Sequence, residues 1–152
     1  MPKASVKRLI ECKKDDLINL VLDIEKYPEF VPFCFGAKIY ENKIEGDLKK
    51  IIADLTIGKG PFKDTYKSDV VFNKKKDLIF VKNIEGPLNH LSNNWTFTDK
   101  KNSITEVIFD IDFEIKNKFL NSLMVVSFQF GLEKIADAFQ KRAEDLFNNP
   151  KN

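Results

Sequence analysis

The amino-acid sequence predicts an α+β fold: a curved antiparallel sheet of about six or seven strands wrapped around one long C-terminal helix, with one or two short helices after the first strand. Three observations carry this. Lys118–Phe147 is the longest segment of helical period, with Leu120, Met124, Phe128, Ile135, Phe139, Ala143 and Leu146 on one stripe, and as a helix it would be about 45 Å long. Residues 104–116 alternate almost without fault, Val107, Phe109, Ile111, Phe113 and Ile115 against Glu106, Ile108, Asp110, Asp112 and Glu114. The breaks between strand-like segments are of hairpin length, so neighbouring strands run antiparallel, and the single apolar face of such a sheet needs the last helix as its cover.

The other elements follow in order. Residues 4–11 form a first strand in which Val6 and Ile10 alternate cleanly. A short helix over 16–24 carries Leu17, Leu20, Val21 and Ile24 on one face. Pro28 and Pro32 then forbid a regular helix or central strand in a stretch that still holds Tyr27, Phe30, Val31, Phe33, Cys34 and Phe35. A strand near 36–40 precedes one over 48–57, which places Ile51, Ala53, Leu55 and Ile57 on one face. Gly58 to Pro61 turn the chain into 62–72, and the lysine-rich turn 73–77 leads to 78–84. Gly86-Pro87 breaks the chain before 91–98, where Asn93, Trp95 and Phe97 share a face.

Length suits one domain, expected over residues 1–148 with a polar tail at 149–152. The 25 basic and 23 acidic residues are mixed along the chain, and only Arg8 and Arg142 are arginine, which speaks against nucleic acid as the main partner. Fourteen phenylalanines predict an aromatic-rich interior. Cys12 and Cys34 stand apart, without metal-ligand spacing, and read as buried reduced thiols. The first residues pass straight into a strand pattern with no signal-like apolar run, and no segment approaches a membrane span, so the expected location is cytoplasmic, with any membrane contact peripheral.

The two halves of Lys118–Phe147 differ. Beyond Ile135, charged residues line a wet face, whereas from Leu120 to Leu132 the additional Leu123, Val125, Val126 and Phe130 make the surface apolar almost all round. Such a half-helix is covered on several sides or walls an apolar ligand cavity.

Residues 23–34, DIEKYPEFVPFC, closely resemble the D-(V/I)-E-x-Y-P-x-F-(L/V)-P-(W/F)-C stretch of the coenzyme Q-binding START-domain family, within the polyketide cyclase-like, helix-grip (START/Bet v 1-like) superfamily. Glu85-Gly86-Pro87, Leu91 with Asn94-Trp95-Thr96-Phe97, and Ala138-Phe139-Gln140-Lys141-Arg142-Ala143 continue the resemblance in the family's order. Leu88 departs from it, since phenylalanine often follows Gly-Pro there. The resemblance implies non-enzymatic binding of ubiquinone or a similar polyprenyl lipid in support of respiration. It equally embraces a branch described as a toxin that blocks ribosomal subunit association.

The residues themselves favour binding over catalysis. His90 is the only histidine and sits at the start of a strand, where a solvated or hydrogen-bonded surface role is expected. Asp110, Asp112 and Glu114 alternate away from the apolar face, and no phosphate loop or metal-ligand cluster is present in the sequence. The expected walls of a quinone pocket are Phe62, Tyr66, Trp95, Phe97, Phe109, Phe113, Leu120, Met124 and Phe128, with Tyr66 or Trp95 holding a quinone carbonyl; for each wall residue alone, core packing is the stronger expectation. Tyr27, Phe30, Val31, Pro32 and Phe33 complete the candidate site at its mouth, and with Phe35 the loop is suited to dip into a membrane surface or, alternatively, only to plug the end of the core. No cofactor is expected beyond bound ubiquinone. Respiratory complexes are the partners in the carrier reading and the large ribosomal subunit in the toxin reading; a cyclase or hydrolase is the weakest of the three.

Overall fold

The computed structural model of the chain describes residues 3–59, 61–86 and 88–147, and within them every side chain except those of residues 59, 62, 120, 121 and 123–127. Strand β1 (Lys3–Ile10) leads into helix α1 (Lys14–Leu22) and a 3₁₀ turn (Ile24–Glu29). Strands β2 (Cys34–Glu45), β3 (Leu48–Lys59), β4 (Phe62–Asn73), β5 (Leu78–Glu85), β6 (Leu88–Lys100) and β7 (Ile104–Ile115) follow, and helix α2 (Lys118–Phe147) ends the chain. All seven strands form one antiparallel sheet in the order β1-β7-β6-β5-β4-β3-β2. β2 to β7 are therefore a meander, and β1 closes onto its far edge.

Register breaks at Cys34/Gly36, Ile39/Glu41, Lys67/Ser68 and Leu88/His90 bend the strands that carry them. The inward face reads Leu91, Asn93, Trp95, Phe97 on β6 and Ser68, Val70 on β4, all buried. α2 lies along this face, and its C-terminal half is fastened to β1: Arg8 pairs with Asp137 at 3.1 Å, and the Gln140 amide donates to the Leu9 carbonyl.

Several boundaries differ from the sequence reading. α1 begins two residues early, at Lys14, where the ammonium reaches Asp77 at 2.9 Å and Asp99 at 3.2 Å and so ties the helix to the ends of the sheet. β2 runs on to Glu45 and β6 starts at Leu88, because pairing with longer neighbours extends strands past their own alternating pattern. The proline stretch is not shapeless: residues 24–29 form the 3₁₀ turn, with Pro28 inside it. Both cysteines are buried and free, as expected. The polar tail at 149–152 lies outside the described residues.

Candidate binding interior

The apolar interior divides into two clusters. The larger gathers α1, the inward ends of β3 to β7 and the C-terminal half of α2 around Phe139. That ring, 3% exposed, meets Tyr27 at 5.3 Å, Phe30 at 5.1 Å and Trp95 at 5.0 Å, each edge to face, and Trp95 in turn meets Phe109 at 4.4 Å. The smaller consists of Leu88, Leu91 and Phe113 with Tyr66, Val81, Ile111, Ile115 and Phe128 packed on it. Phe113 and Phe128 stand 4.5 Å apart there, joining β7 to α2.

The sequence-derived site residues thus separate. Tyr27, Phe30, Val31, Trp95, Phe97 and Phe109 belong to the larger cluster, and Tyr66, Phe113 and Phe128 to the smaller. Pro32 and Phe33 are half-buried beside the mouth. The side chains of Phe62, Leu120 and Met124 lie outside the described residues. Phe139 and Asn93 are central to the interior and were not singled out as site residues; the helical stripe contained the first, and strand alternation turned the second inward.

The loop corrects one expectation. Tyr27 and Phe30 turn inward instead of reaching out: the Tyr27 hydroxyl donates to the Val21 carbonyl, and the Arg142 guanidinium covers the Phe30 ring at 5.0 Å. Arg142 also binds Glu29 at 2.8 Å and so clasps the 3₁₀ turn to α2. Of the loop's aromatics, Phe35 alone is strongly exposed, at 51%, with the Lys63 ammonium 4.1 Å above its ring. Phe33 adopts φ 70°, a left-handed conformation uncommon for a large side chain, and its carbonyl is fixed by the Gly58 N–H at 3.0 Å. Its ring edge faces Gly131 of α2, where a Cβ would lie 3.8 Å away. Phe130, 63% exposed, adds an outward ring under the Lys134 ammonium at 4.8 Å.

Burial raises the pKa of Tyr66 and Tyr27, with Cys34 near enough to add to both shifts. Both phenols are therefore neutral hydroxyls at physiological pH. A crevice of about 20 Å³ beside Arg8, Ile135 and Phe139 has room for a water, not a lipid.

On the outer face, His90 is half-buried and less solvated than expected. Its Nε2 stands 3.6 Å from Asp112 Oδ2, beyond hydrogen-bond length, and has no other partner among the described residues. Asp110 is exposed, while Asp112 and Glu114 are partly covered by Lys3 and Asn89. Among the described residues no group of three His, Cys, Asp or Glu side chains is placed to hold a metal, and no helix is long and apolar enough to cross a membrane.

Comparison with known proteins agrees with this geometry. A family model described as polyketide cyclase / dehydrase and lipid transport matches residues 10–140. A ribosome association toxin of Rickettsia prowazekii is 30% identical over 142 residues, covering 91% of this chain and 94% of the relative. A mitochondrial coenzyme Q-binding protein of Dictyostelium discoideum is 29% identical over 137 residues, covering 89% of this chain and 65% of the relative. Among solved structures, a START superfamily protein from Mycobacterium smegmatis superposes with a TM-score of 0.80 at 19% identity, over 95% of this chain and 98% of that one, and the two share one fold.

Proposed function

The chain belongs to the polyketide cyclase / dehydrase and lipid transport family, and on that premise we propose that it is a non-enzymatic helix-grip carrier of a polyprenyl quinone, ubiquinone in the first instance. The supporting observation is the divided interior: one end is packed tight around Phe139, while the other joins sheet to α2 through the smaller cluster of Leu88, Leu91 and Phe113. The ring and tail would lie at that second end, against Tyr66, Phe113 and Phe128. The similarity to the Dictyostelium coenzyme Q-binding protein favours a quinone as the cargo.

An isoprene unit taken from water is worth about 4 kcal/mol, yet a tail that starts in a bilayer gains close to nothing on entering an equally apolar pocket. Such a protein exchanges quinone with membranes and does not strip them. Phe35 and Phe130, each beneath a lysine, suit a transient peripheral contact with a cytoplasmic membrane face, and respiratory enzymes would receive the cargo. The test is lipid extraction and mass spectrometry of the protein purified from a quinone-producing host. Ubiquinone in near-equimolar amount is expected; a folded protein free of it, and unable to take it up from vesicles, overturns the reading.

A second reading, association with the large ribosomal subunit, draws on the Rickettsia relative, which the chain matches almost end to end. It predicts co-sedimentation with that subunit and growth arrest on overproduction, neither of which a quinone carrier requires.

A further inference from the structure

The inward side of the sheet brings the small polar side chains of Ser68, Asn83 and Asn93 together with its apolar ones, and the first two are satisfied by the chain itself. Ser68 on β4, fully buried, donates to the Ala53 carbonyl at 3.3 Å. Asn83, its cross-strand neighbour on β5, donates through Nδ2 to the Leu88 carbonyl at 3.2 Å and accepts from the Leu91 N–H at 2.9 Å. Asn93 on β6 is the exception. It is 6% exposed, and its Oδ1 is buried without a hydrogen-bond partner among the described residues.

The register explains why the sheet cannot supply one. Asn93 stands between Val81 on β5 and Ile111 on β7, neither of which has a polar side chain. Along its own strand it lies between Leu91, a member of the smaller cluster, and Trp95, a member of the larger. The unpaired acceptor therefore sits at the seam of the two clusters. Buried acceptors in native proteins are almost always paired, and an apolar residue of similar volume would fill the position without loss. An amide kept there calls for a partner from outside the chain.

We infer that Asn93 is the polar anchor of the interior, and that its Oδ1 accepts a hydrogen bond from a hydroxyl on an otherwise apolar ligand. The inference rests on the carrier reading and sharpens it, because the two redox forms of a quinone differ in this chemistry. The oxidised ring offers only acceptors, whereas the hydroquinone offers two O–H donors. The ligand class selected is a phenol-headed prenyl lipid, the reduced carrier over the oxidised one. Tyr66, in the smaller cluster and kept neutral by burial, retains an O–H for a second head-group oxygen.

The experiment titrates the native protein and Asn93→Leu with short-tailed ubiquinol, under anaerobic reducing conditions, and with the matching ubiquinone, following the fluorescence of Trp95, the only tryptophan. The native protein should bind the reduced form about tenfold more tightly than the oxidised form, the value of one buried hydrogen bond. Asn93→Leu should bind both forms equally, losing the preference for the reduced one, with an unfolding temperature no lower than native. Asn93→Val repeats the comparison if the leucine variant does not fold. Equal affinity of the native protein for the two forms, or a preference that survives both substitutions, overturns the anchor while leaving the carrier reading intact. Failure of the native protein to bind either form removes the carrier reading and the anchor with it.

Discussion

Gly86 runs so close to Tyr66 that a methyl group on it would lie 2.8 Å from the tyrosine Cβ and 2.9 Å from its Cα. Its φ of 135° is also one that L side chains rarely adopt. Gly86→Ala should therefore cost about 1–3 kcal/mol, read as a lower urea midpoint with an unchanged slope. Because the atoms in collision are backbone and Cβ, the substitution should also displace Tyr66 and, on the proposed carrier reading, weaken quinone binding in the same preparation.

Phe139 is the ring on which Tyr27, Phe30 and Trp95 converge. Phe139→Ala should destabilise the fold by about 3–5 kcal/mol. Emission from Trp95 should shift to the red before global unfolding, as water reaches the vacated side of the indole. Phe130→Ala, on the same helix but facing outward, should leave both measurements within error of native.

The clasp between Glu29 and Arg142 gives stability a pH dependence of known sign. The hydrogen bond from Arg142, reinforced by the charge of Lys26, holds the Glu29 carboxyl below its ordinary pKa. The stabilisation is complete above the unfolded-state value and is lost as pH falls through the lower folded one. Melting temperatures from pH 7 down to pH 3 should drop more steeply in the native protein than in Glu29→Gln. The difference should be small and should shrink in salt, since the pair is partly exposed.

Burial, aided by the charges of Asp16 and Glu144, pushes the Cys12 thiol up to about 11, and burial also raises Cys34. At pH 8 the reactive thiolate is scarce in both. Labelling by a thiol reagent should be at least about 100-fold slower in the native protein than in urea. Fast labelling of one cysteine under native conditions would show that its part of the interior opens on its own.

Where one physical signal acted alone, the sequence was readable. Lys118–Phe147 is helical over the whole of its 3.6-residue stripe, and Ile104–Ile115 is a strand because alternation left it no other choice. The fold class followed from those two elements and the hairpin turns. The site was less readable because its defining facts are relations between distant residues. Phe139 was visible as one member of a stripe, but nothing in that stripe tells that Tyr27 and Phe30 would close on it from a loop of the other half of the chain. Aromatics beside prolines, such as Tyr27 and Phe30, suit both a membrane interface and a plug; the Val21 carbonyl and the Arg142 guanidinium decide for the plug. Asn93 was placed inward by alternation, yet its lack of a partner depends on the register that sets Val81 and Ile111 beside it.

The strand order has a bearing on how the molecule comes into being. Lys3 stands opposite Asp112 and Ile10 opposite Thr105, so the earliest-made strand pairs with the last one. During synthesis β2 to β6 can zip up hairpin by hairpin while β1 waits with Val6 and Ile10 uncovered. Closure of that one long-range seam should set the pace of refolding, as distant pairings do elsewhere, and a circular permutant that begins at β2, so that β1 follows α2 and stands one helix away from β7, should fold faster than the unpermuted chain.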